Sequence, residues 1–174
     1  MKTIGLIGGM SWESTAHYYR VLNEETARRL GGLHSAPILL NSVDFAPIEQ
    51  LQRAGDWASA GDQLAGIAAG LEAQGAGIVG LATNTMHIVA DRITARLTVP
   101  FVHIADPTAE ALLADGYRTV GLLGTRFTME MPFYKTRLMD RGLTPLVPEV
   151  DITNLNGIIY EELVRGIVRD ESRQ

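Results

Sequence analysis

The densest chemistry in the chain lies in Val79-Gly80-Leu81-Ala82-Thr83-Asn84-Thr85-Met86-His87, an uncharged apolar run that gives way abruptly to hydroxyls, an amide and an imidazole. Residues 78–82 read as a central parallel strand covered on both faces, and Thr83, Asn84 and Thr85 read as the cap of a helix over 87–97. Small polar side chains and backbone N–H donors would then meet at the C-terminal end of a strand. Open α/β sheets bind ligands there, and a helix N-terminus favours a carboxylate or phosphate. Plain helix capping by Thr83 or Asn84 uses the same residues, and this stretch alone does not separate the two readings.

A second stretch repeats the logic. Val120-Gly121-Leu122 matches Val79-Gly80-Leu81 and leads through Gly124-Thr125-Arg126-Phe127-Thr128-Met129 into a helix, which points to two related α/β halves. Ser11 follows Gly8-Gly9 at the end of the first strand, and Gln52 lies with Glu49 and Gln50 after the second. His87 and His103 are the nearby side chains that could serve as a neutral-pH base, and each is as apt to hydrogen-bond a loop. His34 orders its Gly-Gly-Leu-His turn, and His17 sits one turn along the first helix.

The elements that must carry these residues alternate strand and helix. A strand over 3–7 turns at Gly8-Gly9-Met10-Ser11 into a helix bearing Trp12, Ala16, Tyr19, Leu22 and Leu30, capped by Ser11 and ended by Gly31-Gly32. A strand over 38–43, a helix from about Pro47, a break at Gly55-Asp56-Trp57 and a helix over 62–74 precede the central strand. Beyond Pro100 come a strand over 101–104, a helix from Asp106 or Thr108, a strand over 119–123, a helix over 131–141, a short strand over 145–147 and an amphipathic helix over 155–168. The fold expected is α/β with doubly wound parallel sheets in two halves, 1–99 and 100–174. The second half stops before any strand that would follow its last helix, so a further C-terminal segment is expected. The glycines near residue 8 do not fit G-x-G-x-x-G, which disfavours a nucleotide site.

Composition narrows the class. The chain has 174 residues, 46% hydrophobic and 20% charged, with a net charge of −5. This describes a globular protein with an ordinary core and no basic block for nucleic acid or a membrane surface. Cysteine is absent, which excludes disulfides, thiolate metal sites and a cysteine nucleophile within these residues, and no metal site is read. No apolar run approaches the ~20 residues of a membrane span and no signal-peptide pattern opens the chain, so a cytoplasmic protein is expected.

Five motifs, Gly8-Gly9-Met10-Ser11-Trp12-Glu13-Ser14-Thr15, Leu30-Gly31-Gly32-Leu33-His34-Ser35, Asn84-Thr85-Met86-His87, His103-Ile104-Ala105-Asp106 and Leu122-Leu123-Gly124-Thr125, resemble the aspartate/glutamate racemase family in content and order. The resemblance runs the length of the chain. It implies two pseudo-symmetric α/β domains with the active site between them, a homodimer, and cofactor-independent racemisation of an acidic amino acid. In that family two cysteines flank the substrate and exchange protons with opposite faces of Cα. Here Thr83 stands where the first is typical, and the Gly-Cys-Thr-Glu motif of the second does not occur among the 174 residues.

The departure matters, because a thiol titrates near ~8.5 whereas an aliphatic hydroxyl is a far weaker acid. The expectation is therefore a racemase or epimerase of aspartate or glutamate with Thr83 in the first acid/base position, impaired or one-sided, its partner base lying in a segment beyond these residues. An inactive relative that binds an acidic amino acid or dicarboxylate is the alternative. Asn84 and Thr85, with Thr125 and Thr128, are expected to hold the carboxylates, and Ser11 and Gln52 to line the rim.

Overall fold

The computed structural model describes residues 1–173 and shows parallel strands in sheets flanked by helices. Gln174, the last residue of the expected incomplete half, lies outside the described residues. The chain divides into two compact units, Met1–Val102 and a second that begins at His103.

The first unit runs β1 (Ile4–Gly8), α1 (Trp12–Leu30), β2 (Ile38–Ser42), α2 (Phe45–Ala54), α3 (Trp57–Ala73), β3 (Ile78–Leu81), a 3₁₀ turn (Thr85–Val89), α4 (Ala90–Thr94) and β4 (Phe101–Val102). Its sheet has the order β2-β1-β3-β4, parallel throughout, with Ile7 opposite both Asn41 and Leu81. The Ala82 N–H donates to the Ile7 carbonyl at 2.9 Å, so pairing continues one residue past β3 and Thr83 is the first residue to leave the sheet.

Packing explains why this strand is central. Ala60, Leu64, Ala68 and Leu71 form a buried stripe on α3 at helical spacing, and they share a core with Ile7, Val79, Leu81, Met86, Val89 and Ile93. The small residues permit close approach: a Cβ on Gly61 would stand 2.5 Å from Arg92 Cδ on α4. Burying a side chain such as Leu64 or Ile7 stabilises by about 1.5–3 kcal/mol, more than a typical cap of ~1 kcal/mol, so the apolar stripes set the fold while caps set the boundaries.

Two helices start earlier than expected because an aspartate caps each of them. Asp44 accepts from the Ala46 N–H at 3.2 Å, so α2 starts at Phe45 and Pro47 is its third residue, where a helix has no use for the missing N–H. Asp56 accepts from the Ser59 N–H at 3.0 Å and its hydroxyl at 2.7 Å, which starts α3 at Trp57 instead of Asp62.

The second unit runs α5 (Ala105–Ala114), β5 (Thr119–Gly121), α6 (Arg126–Glu130), α7 (Pro132–Asp140), β6 (Thr144–Leu146) and α8 (Ile152–Glu161). Strands β5 and β6 pair in parallel, and Ala105, Ala109, Leu122, Tyr134, Leu138 and Leu143 form the core. Helix α5 begins ahead of both expected caps, because the His103 ring accepts from the Ala105 N–H at 3.2 Å. The strand before it accordingly stops at Val102 and not at residue 104. The last helix ends at Glu161, short of residue 168, giving way to a 3₁₀ turn closed by left-handed Gly166. Between α5 and α7, Asp106 accepts two bonds from Arg137, at 2.7 and 2.8 Å, and lies 3.1 Å from Arg141.

Candidate active site

At the end of β1, the glycines serve a tight turn. Gly9 has φ +93°, and a Cβ there would fall 2.2 Å from the Val43 carbonyl oxygen; one on Gly8 would meet Thr15 Cγ2 at 2.4 Å. The Thr15 hydroxyl accepts from the Gly9 N–H at 2.8 Å and donates to the Ser11 carbonyl at 2.9 Å. Ser11 is buried and caps α1, accepting from the Ser14 N–H at 3.4 Å. Close backbone packing accounts for this glycine pair.

The end of β3 is built differently from the expected cap and helix. Asn84 has helical dihedrals (φ −84°, ψ −55°) and makes no side-chain cap, the next turn is 3₁₀, and the α-helix over 87–97 is reduced to α4, Ala90–Thr94. In an α-helix the His87 N–H would donate to the Thr83 carbonyl, four residues back. Here it donates to Asn84, three back, at 3.0 Å, while the His87 ring donates through Nδ1 to the Thr83 carbonyl at 2.8 Å. The imidazole replaces the backbone amide at that carbonyl, and the turn tightens by one residue.

Two features accompany that turn. Met86 and Val89, three residues apart, both enter the core, whereas Asn84 Oδ1 is left buried without a hydrogen-bond partner. Such a group costs about 1–3 kcal/mol of desolvation. Thr85 is also buried, and Thr83 is half-buried at the point where the chain leaves the sheet.

Gln52, expected to line the rim, lies on α2. It is 3% exposed and donates through Nε2 to Met86 Sδ at 3.0 Å, so it underpins the turn from α2. His87 is likewise buried, with its ring 5.8 Å from that of Phe101 on β4.

In the second unit, Thr125 accepts from the Thr128 N–H at 3.3 Å and caps α6, with its hydroxyl 3.3 Å from that of buried Thr128. His103 is buried, and its Nδ1 accepts from a backbone N–H, so that nitrogen carries no proton in this arrangement. Arg137 beside Asp106 holds the Asp106 carboxyl below its ordinary range, with Arg141 and His103 adding in the same direction.

Sequence reading passed over Glu162, which is buried beyond α8. Its Oε1 accepts from the Ser172 hydroxyl at 3.0 Å, and its Oε2 has no hydrogen-bond partner. Its spacing from Leu155 and Ile159, at i, i+4 and i+7, places a carboxylate on an apolar stripe and was the available signal. Among the described residues, no group of three His, Asp or Glu side chains is placed to hold a metal ion, and no helix is long and apolar enough to cross a membrane.

Parallel strands in sheets flanked by helices are the fold that the chain shares with racemase homologues of known structure. A family model described as Asp/Glu/hydantoin racemase matches residues 7–174, and the chain belongs to that family. A crystal structure from Yersinia pestis, described as a candidate Asp/Glu racemase, is 51% identical with a TM-score of 0.90, over 99% of this chain and 76% of that one. An aspartate racemase homologue from Pyrococcus horikoshii OT3 is 35% identical with a TM-score of 0.80, again over 99% of this chain and 76% of that one. The Picrophilus torridus aspartate racemase, 23% identical over 95% of this chain and 76% of its own, shares the fold with a TM-score of 0.72. Family and fold together support an isomerase of the Asp/Glu racemase type.

Proposed function

We propose that the protein moves a proton at Cα of aspartate or glutamate without pyridoxal phosphate, with Thr83 as the first proton-handling group. Family membership supports the reaction type, and the observation that carries the placement is the β3 end. Thr83 is the first residue off the sheet, and the next side chain, Asn84, keeps a buried oxygen that no protein donor satisfies. A bound ammonium or carboxylic acid proton would satisfy Asn84 Oδ1, while its amide N–H groups and those of Thr85 suit a carboxylate. Ser11 and Gln52 shape the turns on either side. The Thr125–Thr128 turn of the second unit is a candidate anion contact in its own right. By family reasoning the working form is a cytoplasmic homodimer, which sedimentation and fractionation would check.

Thr83 itself favours a second reading. A hydroxyl is a poor base unless a neighbour or an ordered water activates it, and the chain has no cysteine, so a protein that binds an acidic amino acid and leaves it unchanged is the alternative. Incubation with L-aspartate or L-glutamate in deuterated water separates them. Exchange at Cα supports proton transfer, and binding without exchange at high protein concentration supports the alternative. Inversion should be measured beside exchange, because it needs a second group on the opposite face. Thr83→Ala should lower exchange by at least about 100-fold, the ordinary weight of a positioned acid or base. Thr83→Cys should speed exchange with retention and yield little inverted product; rapid inversion would mean that the 174 residues already contain the second base.

A further inference from the structure

We propose that His87 is a positioning residue, which holds the Thr83–Asn84 turn in its 3₁₀ form by donating from Nδ1 to the Thr83 carbonyl. This rests on the reading that Thr83 and Asn84 belong to the active site. A carbonyl oxygen can only accept, so the 2.8 Å contact requires the proton on Nδ1. With that carbonyl occupied by the ring, the His87 N–H is directed to the Asn84 carbonyl at 3.0 Å, and one residue therefore fixes the two successive peptide groups that carry Thr83 and Asn84. Burial and the tilted contact with Phe101 hold the ring in place. If the ring did not bind it, the Thr83 carbonyl would be open to the His87 N–H in the α-helical pattern. Thr83, whose carbonyl would accept the first bond of a regular helix, would then be the N-cap, with its hydroxyl drawn to capping and Asn84 carried into the first turn.

His87 thus acts through Thr83 and Asn84, and its two ring nitrogens can be tested separately. An asparagine places its amide nitrogen near the imidazole Nδ1 position, whereas a glutamine reaches the Nε2 position. His87→Asn should retain kcat within about threefold of the parent, while His87→Gln and His87→Leu should lose about 100-fold, the scale of a small misplacement of reacting groups. KM should change less than kcat. Nitrogen NMR of the parent should show the His87 proton on Nδ1, and amide hydrogen exchange of residues 83–87 should quicken in the glutamine and leucine variants but not in the asparagine variant.

Rescue by glutamine and not by asparagine, or a proton on Nε2 with Nδ1 bare, would overturn the inference. So would equal activity in all three variants. Should the leucine variant fail to fold, the asparagine–glutamine pair and the tautomer still decide. A parent without Cα exchange would refute the racemase reading, and the NMR and hydrogen-exchange measurements would then judge the role of His87 in the turn.

Discussion

The ends of β3 and β5 start from the same three residues, Val-Gly-Leu, and arrive at opposite solutions for the polar side chain that follows. After β5, Thr125 takes extended dihedrals (φ −61°, ψ 160°), and its hydroxyl accepts from the Thr128 N–H, as an N-cap should. After β3, Asn84 takes helical dihedrals, caps nothing and keeps a buried oxygen unpartnered. One turn uses its polar group to start a helix; the other withholds it at a cost in stability. Departure from the cheaper local solution is the observation that supports placing the proposed site at the β3 end.

The sharpest way to break that comparison is Asn84→Ala. Removing a buried oxygen with no partner should leave the melting temperature level or raise it, while aspartate affinity falls by about tenfold or more, as expected for a hydrogen bond to a charged ligand. Calorimetric titration and a melting curve on one preparation suffice. A large loss of stability with unchanged affinity would show that the amide serves the fold after all.

Thr125→Ala should give the reverse weighting. Loss of an N-cap costs about 1 kcal/mol, visible as a drop of a few degrees in melting temperature, with a smaller change in aspartate affinity than Asn84→Ala gives. Should affinity fall as far as in Asn84→Ala, the Thr125 turn is an anion contact as well as a cap. If both substitutions leave affinity within about twofold, the carboxylate placement at both turns is wrong.

The contrast also explains what could be read from the chain and what could not. The strands and α3 were legible because their apolar residues recur at the right spacing, and that burial outweighs everything local. The caps at Asp44 and Asp56 are legible in principle, each an aspartate just ahead of a helical stripe, but Pro47 and Gly55 are stronger local signals and both lie close to the true starts. The 3₁₀ turn at 85–89 left no such trace. It arises because a side chain four residues ahead takes the carbonyl that its own N–H would have used, and nothing in Asn-Thr-Met-His announces which donor wins. The polarity of Gln52 is legible too, but not its buried bond to a methionine sulfur. Ser11 and Thr125 were readable as caps, since Ser14 and Thr128 follow each at the spacing that a cap requires.

The smallest expected effect concerns how the second unit holds its helices while its turn is fully capped. Asp106 on α5 accepts both of its strong bonds from Arg137 on α7, and the guanidinium lowers the Asp106 carboxyl below its usual value of 3.8. A carboxyl with a lowered pKa in the folded state contributes stability that is complete above the unfolded value and is lost as pH falls through the folded one. Arg137→Leu should therefore be less stable than the parent from neutral pH down to about 4, with the gap closing at lower pH as Asp106 protonates in both proteins. The pair is partly exposed, so solvent screening keeps the difference small and added salt should shrink it further. Urea melts of parent and variant from pH 7 to pH 2.5, at low and high salt, would test this. A gap that stays constant across that range would mean that Arg137 stabilises through the apolar packing of its stem. The ion pair would then be a consequence of helix packing and no longer part of what holds α5 to α7.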